Sequence, residues 1–245
     1  MASPAFNTLF TQHAMASYAK QLTLADAIEG AGAWDLDMQA GTLSFAEGRV
    51  LKISLLGSYG EAAESWLWAY ANRNMNLPPE GIEAATSLRE RGRSKNIPEL
   101  AEAETQDKET FCHRLAMVSV GELGASAYYR APYEGGAAYL MIHEALPASA
   151  DRHRLGRVQR VIAECISTFD IADQRAAINA YFDSESLPVE ATEANEITAS
   201  VEDGDLRIRF DAEGRITEMK SLLRAATKPT GGFFNRLFRK EDGDG

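Results

Sequence analysis

The side chains that could do chemistry are few: four histidines, two cysteines, a pair of aspartates and one aromatic run. His13, His113, His143 and His153 share no metal-ligand spacing with one another, and a metal site needs three or four convergent ligands with their own supporting partners. No metal, no cofactor and no catalytic residue is therefore assigned. Cys112 and Cys165 form no CxxC pair and read as buried thiols. Cys112 and His113 are adjacent, but neighbours on a helix point about 100° apart, so they cannot serve each other as nucleophile and base. The expectation there is a buried thiol beside an imidazole on the helix surface. His143-Glu144, at the end of a predicted strand, could act as acid or base with a partner distant in the chain. Asp35 and Asp37 share one strand face about 7 Å apart, a spacing that suits a cation or, more simply, the solvent face of an outer strand.

The segment Ser65-Trp66-Leu67-Trp68-Ala69-Tyr70-Ala71-Asn72 has the most unusual composition. As a strand it places Trp66, Trp68 and Tyr70 on one face, which could floor a pocket for a planar ligand or fill the core. Trp66, Trp68 and Tyr70 are the candidate ligand-binding residues. No P-loop, HExxH or GxSxG is present, and Gly30-Ala31-Gly32 is not completed by a glycine at Asp35, so the dinucleotide fingerprint fails as well.

Charge is uneven in two places. Arg152, His153, Arg154, Arg157 and Arg160 crowd the start of a strongly periodic helix, where the sign is wrong for the helix dipole. They mark an anion or partner site, or they pair with the chain's own carboxylates. The second place is the C-terminus. After a linker containing proline and glycine, Phe233, Phe234, Leu237 and Phe238 fall on one side of a helical wheel, and Asn235, Arg236, Arg239 and Lys240 fill the other. So short a helix is unstable alone in water and must dock on something. Phe233, Phe234, Arg236, Leu237, Phe238, Arg239 and Lys240 are the candidate partner-binding residues. Their target would be the chain's own domain, another protein or an anionic membrane surface.

These residues sit on a recognisable string of elements. Apolar spacing from Ala5 to Ile28 predicts one or two helices. Alternation from Trp34, a turn at Gln39-Ala40-Gly41, and runs at 42–45, 50–58 and 64–71 predict four closely linked strands, hence an antiparallel meander. Helices are predicted near 79–91, 98–104 and 108–120, and a hairpin over 125–144. Two more helices follow, from Asp151 to Phe169 and from Asp173 to Phe182. After an acidic stretch over 183–195, three short strands fill 196–222. The expected architecture is α+β: an antiparallel sheet of about six strands covered by helices on one side, a small C-terminal β-hairpin unit, and a tethered amphipathic tail. The expected divisions are 1–184, 196–223 and 224–245.

At 245 residues, with 45% hydrophobic and 25% charged, the composition is that of a globular protein and excludes disordered, collagen-like and disulfide-scaffold classes. The net charge of −11 opposes phosphate backbones, so no nucleic acid is expected as a partner. The average conceals a contrast, because residues 228–245 carry four basic and three acidic side chains. The start, Met1 to Ala31, lacks a basic first segment and an apolar stretch of signal-peptide length. No apolar run reaches 18 residues, so a cytoplasmic location is expected.

The combination Trp34-Asp35-Leu36-Asp37, Gly41-Thr42-Leu43-Ser44-Phe45, Leu55-Leu56-Gly57-Ser58-Tyr59 and the tryptophan block resembles a family of uncharacterised bacterial cytoplasmic proteins, a domain of unknown function, over about Ala33 to Tyr181. The resemblance implies a bacterial intracellular α+β domain and assigns no catalytic residue. The expected function is that of a non-enzymatic intracellular binding or interaction protein, with a docking C-terminal peptide or a toxin-neutralising role. The alternative is a small-molecule-binding domain or hydrolase-like enzyme with an aromatic-floored pocket.

Overall fold

Ser3 accepts a hydrogen bond from the Phe6 amide at 3.2 Å, and Pro4 takes the first helical position, where its missing N–H leaves nothing unpaired. This cap starts α1 (Pro4–Ala27), a single helix of 24 residues. The structure is a computed structural model and describes residues 2–224. Four strands follow α1: β1 (Trp34–Asp37), β2 (Thr42–Phe45), β3 (Val50–Gly60) and β4 (Ser65–Trp68). Each pairs antiparallel with the next, as such short connections require.

β4 ends two residues earlier than the alternation of its sequence suggests. The chain leaves the sheet after Trp68 and makes a 3-10 turn over Ala69–Ala71, so Tyr70 is not a strand residue. The helix α2 (Pro79–Lys95) then runs to Asn96, which takes the left-handed conformation that ends helices. α3 (Pro98–Ala101) and a three-residue strand, β5 (Glu104–Gln106), come next, and β5 closes the edge beside β4. α4 (Glu109–Leu123) stops at Gly124, whose φ of 66° suits glycine. The hairpin of β6 (Ala127–Tyr133) and β7 (Gly136–Ile142) turns at Glu134-Gly135.

The seven strands form one antiparallel sheet in which β3 is the organiser. It seats β2 and β4 end to end along one edge, while β7 runs along the other and carries β6 outside it. A register shift between Leu55 and Gly57 marks a bulge that bends β3 between the two halves. The free edge of β6 is closed by a side chain: Gln21 of α1 donates to the Tyr128 carbonyl at 2.9 Å and accepts from its amide at 2.8 Å. That contact does for one residue what a further strand would do, and blunts an exposed edge.

α5 (Leu155–Thr168) and α6 (Gln174–Ser184) lead to a second antiparallel sheet of β8 (Val189–Glu193), β9 (Glu196–Val201), β10 (Gly204–Phe210) and β11 (Ile216–Leu223). β8 comes from the acidic stretch over 183–195, for which the sequence predicts no strand, so this sheet has four strands rather than three. Asp173 caps α6 by accepting from the Ala176 amide at 2.8 Å. Buried Ile197, Ala199, Leu206, Ile208 and Phe210 join the same continuous core as α1, α5 and α6. Among the described residues, no helix is long and apolar enough to cross a membrane.

Candidate functional site

The aromatic run is core. Trp66 and Trp68 are 1% and 0% exposed, and their rings meet edge to face at 5.2 Å. Trp66 also meets Tyr139 at 5.1 Å and lies over Gly57, where an added Cβ would sit 2.5 Å from its ring. Trp68 donates its indole N–H to the Glu99 carbonyl at 3.0 Å. Tyr70 stacks on Trp68 and donates to the Glu102 carbonyl at 2.7 Å, with the Arg89 guanidinium 4.7 Å from its ring centre. The polar ends of Trp68 and Tyr70 thus bind the segment around α3 rather than facing a hollow, while the buried Trp66 indole N–H has no hydrogen-bond partner among the described residues. Trp66, Trp68 and Tyr70 do not floor a pocket, because neighbouring side chains and backbone fill the space that a ligand would need.

Beside them lies a polar network between α4 and the outer strands. Arg130 donates to Glu109 Oε1 at 2.7 Å, Tyr139 donates to the same oxygen at 3.2 Å, and His113 Nδ1 meets the Tyr128 hydroxyl at 2.7 Å. Burial works to raise the Glu109 pKa, but the Arg130 hydrogen bond and charge outweigh it and hold the carboxyl below its ordinary range. Burial lowers the His113 pKa, so its ring is neutral near pH 7. The imidazole therefore turns inward to two tyrosines, whereas the sequence suggested a helix-surface group. Burial pushes the Cys112 thiol up to about 12, which makes it a poor nucleophile. These groups satisfy one another and hold α4 to the sheet.

A different arrangement surrounds His143. Its amide donates to the Lys52 carbonyl at 3.0 Å, so the β3–β7 ladder continues one residue past the end of β7. Ser54 pairs with Met141, and His143 lies two residues beyond Met141 on the same face. Such diagonal cross-strand neighbours are within reach of a long side chain, and His143 Nε2 stands 2.8 Å from Ser54 Oγ. His143 lines two adjoining hollows of about 500 and 180 Å³ between the first turns of α2 and the open end of the sheet, and Ser54 lines the smaller of them. Glu80 and Glu83 of α2 form one wall. The β1–β2 turn forms the other, held against β3 by a 2.8 Å bond from the Ile53 amide to the Gly41 carbonyl. Burial lowers the His143 pKa and the nearby Glu83 charge partly offsets this, so near pH 7 the ring is neutral and can accept or donate a proton at Ser54. An exposed imidazole that lines a cleft while bonded to a buried hydroxyl is an arrangement from which binding and acid–base sites are built. Sequence alone singled out His143 but not Ser54, whose only signal was a hydroxyl inside the apolar run of β3.

The remaining candidates separate cleanly. Asp35 and Asp37 are exposed, and Asp37 Oδ1 accepts from the Gln39 and Ala40 amides to shape the turn. Among the described residues, no group of three or more His, Cys, Asp or Glu side chains could hold a metal ion. The basic helix start is paired residue by residue: Arg152 and His153 with Glu185, Arg154 with Asp203, Arg157 with Asp26, and Arg160 with Glu164. The partner-binding candidates Phe233, Phe234, Arg236, Leu237, Phe238, Arg239 and Lys240 lie outside the described residues.

Fold and cleft together define an α+β domain in which helices cover an antiparallel sheet and leave one end of it open around a Ser–His pair. Residues 7–145, more than half of the chain, match the model of a family of unknown function (DUF6882), and the chain belongs to that family. Both members of the Ser54–His143 pair fall inside the matched segment. No curated protein and no solved structure matches the chain.

Proposed function

We propose that the domain binds a small polar molecule in the cleft between α2 and the sheet and holds it against the Ser54–His143 pair. The observation that carries this reading is the 2.8 Å contact between Ser54 Oγ and His143 Nε2, made by a neutral imidazole that lines a cleft of about 500 Å³. Glu80 and Glu83 against Lys52 favour a neutral or cationic ligand over an anionic one. The ring of His143 reports on occupancy, so the test is its magnetic resonance signal in the wild-type chain and in Ser54→Ala.

A hydrolase reading rests on the same contact, with Ser54 as nucleophile and His143 as base. Ser54 is 2% exposed and sits in a regular ladder with β7, which favours binding over covalent attack. A fluorophosphonate probe separates the two: covalent labelling of Ser54 would establish the hydrolase, and no labelling is expected.

A cytoplasmic place of action is part of the proposal. It is supported by Cys112 and Cys165, which are buried and unbridged, as befits a reducing compartment. We also propose, from the sequence pattern of residues 231–245 alone, that this segment docks on another protein or on an anionic membrane surface. A basic partner, as a toxin-neutralising role requires, suits the net charge of −11. Deleting residues 231–245 is expected to leave unfolding free energy within about 1 kcal/mol of the full chain while abolishing a pull-down or liposome interaction. A loss of several kcal/mol would instead make the segment part of the folded domain.

A further inference from the structure

A second hollow, of about 210 Å³, opens between the later turns of α1, the α4–β6 turn and the facing ends of α5 and α6. Three cations line it, Lys20, Arg152 and Arg157, against one carboxylate, Glu185, in a chain whose overall charge is −11. Glu185 is committed elsewhere, accepting from Arg152 at 2.5 and 3.0 Å and meeting His153 at 3.0 Å. Arg157, with 6% of its side chain exposed, turns one nitrogen to Asp26 at 2.7 Å. Lys20 donates to the Ala125 carbonyl at 2.8 Å, which leaves two ammonium protons for the hollow.

Tyr181 supplies the independent observation. It is 1% exposed and lines the hollow, yet its hydroxyl makes no hydrogen bond among the described residues. The hydroxyl oxygen is open to the hollow rather than sealed in the core, so an acceptor placed there would take its proton in a hydrogen bond. We propose that this hollow binds a phosphate group, with the Tyr181 hydroxyl and the Lys20 ammonium as donors and Arg152 and Arg157 supplying flanking charge. Arg157 is paired with Asp26 and Arg152 with Glu185, which leaves Lys20 as the lining cation to meet an anion, and phosphate oxygens accept from ammonium and hydroxyl alike. Burial lowers the Lys20 pKa, Glu185 opposes this and Arg152 adds to it, so the ammonium is short of counter-charge as it stands. The site is separate from the His143 cleft and does not depend on it.

Free phosphate and a phosphoryl group on a small molecule share this chemistry. Isothermal titration of the full chain with inorganic phosphate and with glycerol 3-phosphate, each against sodium chloride of equal ionic strength, distinguishes them. Saturable binding of at least one probe is expected, and the tighter of the two identifies the source. Tyr181→Phe and Lys20→Met are each expected to weaken it at least tenfold, while Arg160→Gln, which removes a paired cation outside the hollow, leaves it unchanged. Should Lys20→Met fail to fold, Tyr181→Phe decides, because it removes one oxygen from a ring that stays packed. No saturable binding of either probe, or binding that Tyr181→Phe leaves intact, would overturn the proposal.

Discussion

Trp68→Ala is expected to lower the unfolding free energy by about 3 to 5 kcal/mol, the range for truncating a fully buried large aromatic. Urea unfolding measures it directly. The loss reaches beyond one ring. Trp68 is 0% exposed, packs on Trp66 and Tyr70, and its indole N–H holds the Glu99 carbonyl at 3.0 Å. Glu99 in turn accepts a hydrogen bond from the Ser3 hydroxyl at 2.8 Å, so the same side chain ties β4 through α3 to the start of α1. A ligand-floor tryptophan would behave differently, because truncating a wall of an open pocket leaves little new cavity. A loss below about 1 kcal/mol, well short of the core range, would return Trp66, Trp68 and Tyr70 to the role of a binding platform.

Glu185→Ala is the second large effect, expected to cost about 3 kcal/mol, the lower end of the range for breaking a buried ion pair. The lower end applies because Glu185 keeps only 6% of its side chain exposed, whereas its partner Arg152 is half exposed. Burial works to raise the Glu185 pKa, but the hydrogen bonds and charges of Arg152 and His153 outweigh it, so the folded value lies below the ordinary 4.5. The unfolded chain then binds more protons than the folded one in that interval. The stabilisation is present above about pH 4.5 and is lost as pH falls through the lower folded value. Wild-type stability measured between pH 6 and 3 should therefore fall more steeply than that of Glu185→Ala. Parallel curves would mean that Glu185 is not ion-paired in the folded state.

Local patterns carried much of the fold. The apolar steps of α5, the alternation of Trp34, Leu36 and Met38, and the Glu134-Gly135 turn are short-range signals, and helices and strands formed where they stand. Three residues are too few for a period, so β5 left no such trace and exists because β4 needed an edge partner. The alternation of the tryptophan block continues through Tyr70, but the backbone turns after Trp68 because Tyr70 is drawn to the carbonyls of Leu100 and Glu102. Long-range pairings were hidden for a plain reason. Asp26, Glu185 and Asp203 neutralise the basic helix start from positions 32 to 131 residues away, and no spacing rule connects them. Ser54 and His143 are 89 residues apart and meet only because β7 lies on β3 in one register.

Nuclear magnetic resonance of the His143 ring across pH 4 to 8, in the wild-type chain and in Ser54→Ala, bears most directly on the cleft as the functional site. In the wild type the imidazole should titrate below the ordinary 6.5, with Nε2 held at the Ser54 hydroxyl. In Ser54→Ala the Nε2 signal should move as its hydroxyl partner is lost, and a library of small polar fragments that shifts the wild-type ring signals should shift them less. A His143 ring that titrates at or above 6.5, is indifferent to Ser54→Ala and answers to no fragment would contradict the assignment.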